Sequence, residues 1–343
     1  MKSKEKIRVA VIGGGTGTVP VLMGLKKHKD VELSVIVNMT DDGGSNKVVR
    51  DEFGLLPLSD LRKSIIALAN AGNGIFRQLF TYRFDKGEGL SGHTLGNLMM
   101  MALSDITGSE EEAVRAASAI FSCRGEVIPV TYNDVRLVAD FDDGKTIHGE
   151  HLIDEPEEPS DAKITRFYFD GKAHVNPKAK RAIEQADFIV AGPGDLYTST
   201  LASIIVDGVP QAIQKSKGTF IFINNLMTKK GQTHWMKATD LVDEVSKYSG
   251  RTPDVVVMNT GKIPPATLRK YSRQHEYLVK DDLPKDADYK IIRTDVVSND
   301  ELNADKGDTL VRSLIRHDSE ELADVLYNLF LKKHSKSCKQ SYS

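Results

Sequence analysis

Short apolar runs and helix-like spacing alternate along most of this chain. Apolar runs at 7–12 and 31–37 predict strands, and the apolar positions between them, three to four residues apart, predict a helix over 17–28. This order is typical of a βαβ unit with parallel strands and a right-handed crossover. The alternation resumes after residue 176. Strands are expected there at 187–191, 219–223, 254–259 and 289–297. The pattern therefore predicts a doubly wound α/β fold, with a mostly parallel, Rossmann-like sheet and helices on both faces.

The middle of the chain has a different period. Short alternating runs predict strands at 127–130, 135–141, 146–153 and 164–169. Asp142-Asp143-Gly144 has the composition of a hairpin turn between the second and third of these strands. We expect a small antiparallel β insertion over 124–172, within a single α/β domain that spans 1–335.

Local signals also predict helix ends. Ser109 and Glu112 have the spacing of a capping box. The last helix is expected over about 318–331, and the polar residues at 336–343 are expected to form a disordered tail.

The composition disfavours several classes of partner. The 343 residues are 40% hydrophobic and 27% charged, and the net charge is −2, so no general positive field favours nucleic acid or an acidic membrane. No apolar run approaches the roughly 18–20 residues that a membrane span needs. The N-terminus lacks the apolar core of a signal peptide, and the two cysteines do not suggest a disulfide framework or a zinc site. We therefore expect a cytoplasmic protein that binds neither nucleic acid nor membrane.

Two glycine-rich turns follow predicted strands at points suited to phosphate. The first is Gly13-Gly14-Gly15-Thr16-Gly17, after the strand at 7–12, and the second is Gly192-Pro193-Gly194, after the strand at 187–191. Backbone N–H groups are free to bind anions where a strand gives way to a helix, and glycine lets a ligand approach the backbone closely. Either turn alone is also compatible with a plain strand-to-helix connection, but two in one chain indicate a phosphorylated ligand.

The glycine spacing argues against a nicotinamide enzyme. Counted from Gly13, the third glycine of the dinucleotide fingerprint would fall at Thr18, and counted from Gly15 it would fall at Pro20. The run also lacks the lysine of a P-loop.

An acidic turn, Asp41-Asp42-Gly43-Gly44, follows the second predicted strand. It lies at the carboxyl edge of the predicted sheet, where sheets of this kind bind ligands. Its carboxylates could hold the ribose hydroxyls of a nicotinamide cofactor, coordinate Mg²⁺ beside a phosphate, or accept a hydrogen bond from a substrate hydroxyl. A solvated surface turn is the alternative.

Four further residues are candidates for ligand contact. Arg62 lies in the first turn of a predicted helix, where it could bind a phosphate. His93 and Asn97 are four residues apart and share one helix face, and Asn225 ends a strand with a side-chain amide. Each residue also has an ordinary structural role available to it. No Ser-His-Asp elbow or paired zinc motif is present, so these residues by themselves indicate no reaction.

Five sequence blocks, in order, resemble one protein family. They are GGGTG, TDDGGS, SGHTLGN, AGPGDLYTS and NLMT, and they extend over most of the chain. The blocks are similar to signatures of the gluconeogenesis-factor family, whose members are cytoplasmic proteins that bind uridine-diphosphate sugars and are related to 2-phospho-L-lactate transferases. The resemblance implies a nucleotide-binding domain, a homodimer and regulatory protein partners. It adds Tyr271 and Arg316, the latter within Arg-His-Asp, to the expected site residues.

The two branches of this superfamily imply different functions. Gluconeogenesis factors bind nucleotide sugars such as UDP-N-acetylglucosamine, and they support cell shape and cell-wall synthesis during growth on gluconeogenic carbon sources. The transferases move a phospholactyl group from a guanosine-diphosphate carrier to a deazaflavin precursor, with Mg²⁺. The blocks AGPGDLYTS and NLMTKKGQT are closer to the first branch. The chain departs from the family pattern at Leu58-Ser59, where Pro-Gly is usual.

These residues together form one hypothetical site. The two glycine turns would hold a diphosphate, while Asp41 and Asp42 would hold Mg²⁺ or a sugar hydroxyl, or would act as the catalytic carboxylates of a transferase. The expected ligand contacts are Gly13, Gly14, Gly15, Thr16, Gly17, Gly43, Gly44, Arg62, His93, Asn97, Gly192, Pro193, Gly194, Tyr197, Thr198, Asn225, Tyr271 and Arg316.

Overall fold

A computed structural model describes residues 6–43, 56–70, 74–87, 89–156, 160–298 and 314–340. Its strands, in chain order, are β1 (Ile7–Ile12), β2 (Val31–Val37), β3 (Glu126–Pro129), β4 (Leu137–Phe141), β5 (Thr146–His148), β6 (Ile164–Phe169), β7 (Phe188–Ala191), β8 (Thr219–Ile223), β9 (Val255–Asn259) and β10 (Lys290–Thr294).

Helices connect most of these strands. They are α1 (Val19–Leu25), α2 (Ser59–Leu68), α3 (Gly74–Thr81), α4 (Leu95–Thr107), α5 (Glu110–Ile120), α6 (Glu150–Asp154), α7 (Pro177–Gln185), α8 (Ala202–Ile204), α9 (Val209–Lys215), α10 (Ala238–Ser249), α11 (Pro265–Ser272) and α12 (Ser319–Gln340). A π-helical segment, Leu196–Leu201, leads directly into α8. Within the described ranges, no helix is both long enough and apolar enough to cross a membrane.

Seven parallel strands form the main sheet, in the order β10-β9-β8-β7-β1-β2-β3. Strands β7 and β8 are buried along their whole length, as expected for sheet strands that helices cover on both faces. The strand order reverses between β1 and β7, where Val9 pairs with Phe188. In open parallel sheets the carboxyl ends at such a reversal bound a ligand crevice. The doubly wound α/β prediction is therefore confirmed.

The antiparallel part is smaller than the sequence predicted. Strands β4, β5 and β6 form a separate three-stranded sheet in the order β5-β4-β6. Strand β3, which was expected in this insertion, instead joins the main sheet parallel to β2, with Val35 opposite Val127. The buried apolar residues of β3 account for this placement, because they complete the core beside β2.

The strand predicted over 146–153 is wrong in its second half. Strand β5 ends at His148, and Gly149 takes φ 99°, which other residues rarely adopt, before helix α6 begins. Ile153 N–H then donates to the Gly149 carbonyl at 3.2 Å, which is a helical hydrogen bond. The turn matters for the site because it brings α6 toward the carboxyl edge of the main sheet.

Two helix predictions are refined by the structure. Ser109 caps α5 by accepting from the Glu112 N–H at 3.4 Å, but the Glu112 side chain pairs with Arg115 and so completes only half of a capping box. Helix α12 begins after Asp318, whose carboxylate caps it, and it continues to Gln340. It therefore covers most of the segment 336–343, because no glycine or proline interrupts the helix after residue 331.

Candidate functional site at the sheet reversal

A cleft opens at the carboxyl ends of β1 and β7, where the strand order reverses. Sequence-predicted residues in its lining are Gly14, Gly15, Thr16, Gly17, Asp41, Pro193, Gly194, Thr198, Asn225, Tyr271 and Arg316. Further lining residues are Pro20, Asp60, Lys63, Glu150, Asp154, Asp195, Ser199, Leu226, Met227, Thr228, Lys229, Glu276, Ile315 and His317. Residues from segments far apart in sequence therefore converge on one crevice.

The first glycine turn is fixed from two sides. The Gly13 N–H donates to the Ile36 carbonyl of β2 at 3.1 Å. Ser199 accepts a hydrogen bond from the Gly14 N–H at 3.1 Å and donates one to the Gly14 carbonyl at 2.8 Å. Because Ser199 belongs to the segment that follows β7, this pair of bonds ties the first turn to the second.

The two glycine turns touch each other. A Cβ added to Gly17 would lie 2.4 Å from Gly194 Cα and 2.6 Å from the Pro193 carbonyl oxygen. Only a residue without a side chain permits this approach. Asn225, at the end of β8, donates from Nδ2 to the Gly194 carbonyl at 2.8 Å, so the second turn is held from its other side as well.

The two carboxylates of the acidic turn have different surroundings. Asp41 lines the cleft and accepts from the Gly43 N–H at 3.1 Å. Asp42 instead accepts from the His151 N–H at 2.8 Å and thereby fixes helix α6. Only Asp41 of the predicted pair therefore lies in the cleft lining, and Gly44 lies outside the described residues.

Helix α2 presents Asp60 and Lys63 to the cleft. A Cβ at Gly14 would lie 2.4 Å from Asp60 Oδ2, so this carboxylate packs on the first glycine turn. Lys63 Nζ is 2.9 Å from Asp60 Oδ1. Burial alone lowers the pKa of Lys63, but Asp60 and Asp41 outweigh it and raise that pKa, so the ammonium group stays charged.

Arg62 faces the other way from these two residues. It is buried, and its Nη1 donates to the Phe80 carbonyl at 3.3 Å. Residues three apart on a helix share a face, as Asp60 and Lys63 do, whereas a residue two positions away points to the opposite side. The predicted phosphate contact by Arg62 is therefore not brought into the cleft.

Lys229 joins three parts of the chain at the cleft wall. Its Nζ contacts Asp154 of α6 and lies 3.1 Å from Asp195 Oδ2, directly after the second glycine turn. Asp154 also accepts from Thr198 Oγ1 at 3.0 Å and from Gln232 Nε2 at 3.2 Å. Burial by itself lowers the pKa of Lys229, but the two carboxylates outweigh it and raise that pKa. Sequence reasoning missed Lys229, whose position directly after the NLMT block was its one signal.

Tyr271 organises the segment before α12. Its hydroxyl oxygen accepts from the Leu314 N–H at 2.9 Å and the Ile315 N–H at 3.2 Å, and this places Arg316 and His317 along the cleft. Burial raises the pKa of Tyr271 and lowers the pKa of His317 to about 4, so His317 is neutral at pH 7. In the described part of the chain, the buried Nε2 of His317 has no hydrogen-bond partner.

The remaining predicted residues do not line the cleft. Gly13 and Gly192 are the first residues of the two turns and lie outside the lining, and Gly43 lies against the His151 ring. Tyr197 is fully buried, and its hydroxyl donates to Glu244 Oε2 at 3.3 Å.

The block SGHTLGN serves the start of a helix. Thr94 caps α4 by accepting from the Asn97 N–H at 3.2 Å, and Asn97 is buried within that helix. The His93 carbonyl accepts from the Phe84 N–H at 3.0 Å. Neither His93 nor Asn97 reaches the cleft lining.

Within the described ranges, no group of three or more His, Cys, Asp or Glu side chains is arranged to hold a metal ion. Mg²⁺ in phosphate sites, however, is commonly bound by only one or two carboxylates together with phosphate oxygens and water. Asp41 is the predicted metal ligand that fits this second arrangement, because it lines the cleft beside the glycine turns.

Comparison with known proteins finds relatives that match most of the chain. The family model described as 2-phospho-L-lactate transferase CofD matches residues 9–298. The gluconeogenesis factor of Listeria monocytogenes is 36% identical over 95% of this chain and 96% of that protein, and the Bacillus subtilis gluconeogenesis factor is 33% identical over 95% and 98%. The crystal structure of protein BH3568 from Bacillus halodurans superposes with a TM-score of 0.85 at 30% identity, and covers 94% of this chain and all of the other.

Proposed function

Because the chain belongs to the 2-phospho-L-lactate transferase CofD family, among relatives named gluconeogenesis factors, we propose that it binds a nucleoside-diphosphate sugar of the UDP-N-acetylglucosamine type. Its role would be that of a cytoplasmic regulator, acting through partner proteins to support cell shape and cell-wall synthesis during gluconeogenic growth. The ligand lies across the cleft at the sheet reversal.

The contact between the two glycine turns is the observation that carries the proposal. Gly17 meets Pro193 and Gly194 without any intervening side chain, so two stretches of accessible backbone lie next to each other. A diphosphate presents two linked anionic groups, and backbone N–H groups in tight turns bind such oxygens well. Two adjoining turns at a sheet reversal suit a diphosphate better than a single phosphate.

Beyond the glycine turns, the two sides of the cleft carry different kinds of polar side chain, which suit the two ends of such a ligand. On one side lie Asn225, Arg316 and the neutral His317, which can pair with the edge of a base. On the other side lie Asp41 and Glu150, carboxylates that can accept hydrogen bonds from sugar hydroxyls. We assign the base to the first side and the sugar to the second. If Mg²⁺ is bound, Asp41 would hold it, and the ion would neutralise charge on the diphosphate.

A ligand panel tests the proposal. Thermal unfolding of the purified protein is followed with UDP-N-acetylglucosamine, UDP-glucose, UDP, GDP and NAD, each with and without Mg²⁺. A ligand at about 100 times its Kd adds roughly 2.7 kcal/mol to the free energy of unfolding, which raises the Tm by several degrees. We expect UDP-sugars to stabilise the protein most. Absence of any shift with UDP-sugars would refute the proposal.

Matched variants locate the binding site. Asp41→Asn removes a carboxylate from the cleft lining, whereas Asp207→Asn removes one from an exposed pair with His174, outside the cleft. We expect the first variant to lose most of the ligand-induced Tm shift and the second to keep it. Equal shifts in both variants would place the ligand elsewhere.

A transferase that uses a nucleoside-diphosphate-linked donor is the second candidate. Asp41 favours it, because a carboxylate beside the proposed diphosphate site could orient an acceptor hydroxyl and take its proton. The hydroxyl oxygen would then form a bond to the distal phosphorus, the bond from that phosphorus to the bridging oxygen would break, and the nucleoside monophosphate would leave with the electron pair. Stabilisation by GDP with Mg²⁺, together with release of GMP from a guanosine-diphosphate-linked donor when an acceptor is added, would support the transferase over the regulator.

A further inference from the structure

The charge of the cleft is poorly matched to a diphosphate. Its described lining contains three cationic side chains, on Lys63, Lys229 and Arg316. It contains six carboxylates, on Asp41, Asp60, Glu150, Asp154, Asp195 and Glu276. A diphosphate adds two more negative charges to this group. Like charges in one site disfavour each other's ionised forms, so at least one carboxylate is expected to become neutral.

Backbone pairing places Glu276 opposite Lys229. The Thr228 N–H donates to the Tyr277 carbonyl at 2.7 Å, and the Tyr277 N–H donates back to Thr228 Oγ1 at 2.9 Å. The next residue pair, Met227 and Leu278, forms an antiparallel bridge. This pairing fixes Glu276 beside the cleft independently of its own side-chain contacts.

The positive charge of Lys229 is already compensated by other carboxylates, so it stabilises an ionised Glu276 only weakly. Its ammonium group is already shared between the carboxylates of Asp154 and Asp195, so the three groups together carry a net negative charge. An ionised Glu276 would add a further negative charge to a half-buried cluster.

The groups that face Glu276 come from several elements. They are Lys229 and the Lys230 backbone after β8, Asp195 after β7, Asp154 in α6 and the phenol of Tyr271 in α11. Burial raises the pKa of Glu276, Asp195 and Asp154 add to this effect, and Lys229 opposes it, so the pKa is about 7. The side chain is thus about half protonated near neutral pH.

Given the diphosphate ligand of the proposed function, we propose that Glu276 binds that ligand as a neutral carboxylic acid, and that where it is ionised it takes up a proton from solvent as the ligand enters. A neutral acid can donate a hydrogen bond to an anionic diphosphate oxygen, whereas a carboxylate has no proton to donate and repels that oxygen. The proton comes from water or buffer and ends on Glu276, and no other bond changes. Glu276 is therefore a binding residue that the sequence blocks did not include.

The proposal sets the size of the proton uptake. With a pKa of about 7 in the ligand-free protein, about half a proton is taken up per bound ligand at pH 7, and about 0.9 at pH 8. If the bound ligand keeps Glu276 protonated throughout, the apparent affinity falls about tenfold between pH 6 and pH 8.

Isothermal titration with UDP-N-acetylglucosamine measures this uptake directly. Titrations at one pH in PIPES and in Tris, which differ in ionisation enthalpy and do not compete for a phosphate site, give the number of protons taken up. The diphosphate diester of this ligand does not titrate near neutral pH, so the protons are bound by the protein. The same titrations are run on Glu276→Gln, which is permanently neutral, and on Glu184→Gln, which removes a carboxylate on α7, outside the cleft.

We expect Glu276→Gln to take up no proton, to bind with an affinity that does not vary with pH, and to bind more tightly than the wild type at pH 8. Glu184→Gln should behave as the wild type does. Ligand binding without proton uptake in the wild type, uptake that persists in Glu276→Gln, or weaker binding of Glu276→Gln at every pH would overturn the assignment of Glu276 alone. Absence of any binding would overturn the proposed function together with it.

Discussion

Substituting Gly17 with alanine would force the two glycine turns apart. The new Cβ would lie 2.4 Å from Gly194 Cα, 2.6 Å from the Pro193 carbonyl oxygen and 2.8 Å from Gly194 N. All three are backbone atoms, so no side chain can rotate away to relieve the overlap. Asn225 holds Gly194 from behind at 2.8 Å, which limits how far the second turn can retreat.

The size of the effect follows from these distances. Ordinary contact begins near 3.4 Å, so the turns must separate by about 1 Å. Overpacking of this kind costs about 1–3 kcal/mol of stability, which lowers the Tm by several degrees. The displacement also misplaces the backbone N–H groups proposed to bind the diphosphate. Loss of one such charge-assisted hydrogen bond costs about 1.5–3 kcal/mol, so the Kd should rise by at least tenfold.

Thermal unfolding and titration calorimetry with UDP-N-acetylglucosamine measure the two effects separately. Gly74→Ala is the control, because a Cβ at Gly74 meets no atom within 4 Å and alanine favours the helix in which Gly74 lies. We expect the control to keep the wild-type Tm and Kd or to gain slightly in stability. A Gly17→Ala protein with wild-type Tm and wild-type Kd would refute the reasoning from turn-to-turn contact.

Three further changes should have measurable effects on stability. Glu276 has a pKa raised from 4.5 to about 7, so the stability it contributes is complete below about pH 4.5 and is lost as pH rises toward 7 and above. Glu276→Gln should therefore gain stability relative to the wild type as pH rises from 4.5 to 8, by about 1–2 kcal/mol because solvent screens this part-exposed side chain. Parallel pH curves from urea unfolding would contradict this. Asp154→Ala removes the buried acceptor of three donors and leaves Lys229 with one carboxylate. It should lower the free energy of unfolding, measured with urea, by about 3–5 kcal/mol. A loss below about 1 kcal/mol would contradict a structural role for Asp154. Tyr271→Phe removes the hydroxyl oxygen that accepts from the Leu314 and Ile315 N–H groups. It should lower the free energy of unfolding by about 1–3 kcal/mol and weaken ligand binding. An unchanged free energy of unfolding would show that these hydrogen bonds are dispensable.

Continuous apolar runs made the main sheet predictable. Strands β1, β2 and β7 to β9 lie within a residue of their expected bounds, because buried parallel strands carry apolar side chains on both faces. The limits of the antiparallel insertion were less predictable. A buried apolar run such as that of β3 does not show which strand it will pair with. At Gly149, one unusual φ angle ends the predicted strand and allows a helix to begin.

The site was predictable only in part. Each glycine turn was visible in the sequence, but their contact depends on β1 pairing with β7, a partner distant along the chain. Helix geometry could have shown that Asp60 and Lys63, rather than Arg62, share one face. Lys229 gave no comparable signal, since a lysine beside another lysine is usually a surface residue. Its role depends on carboxylates that the fold brings from two other segments.

The pairing of β1 with β7 has a consequence for folding. Val9 and its partner Phe188 are separated by about 180 residues, which a ribosome adds in roughly 10–40 s at about 5–20 residues per second. Throughout that interval β1 has β2 on one side and an unpaired edge on the other, and such edges invite pairing with foreign strands. The ligand cleft is completed only when β7 closes this edge. A chain truncated before residue 188 should therefore aggregate rather than form a smaller binding domain, and a chaperone that shields β1 during synthesis should raise the yield of folded protein.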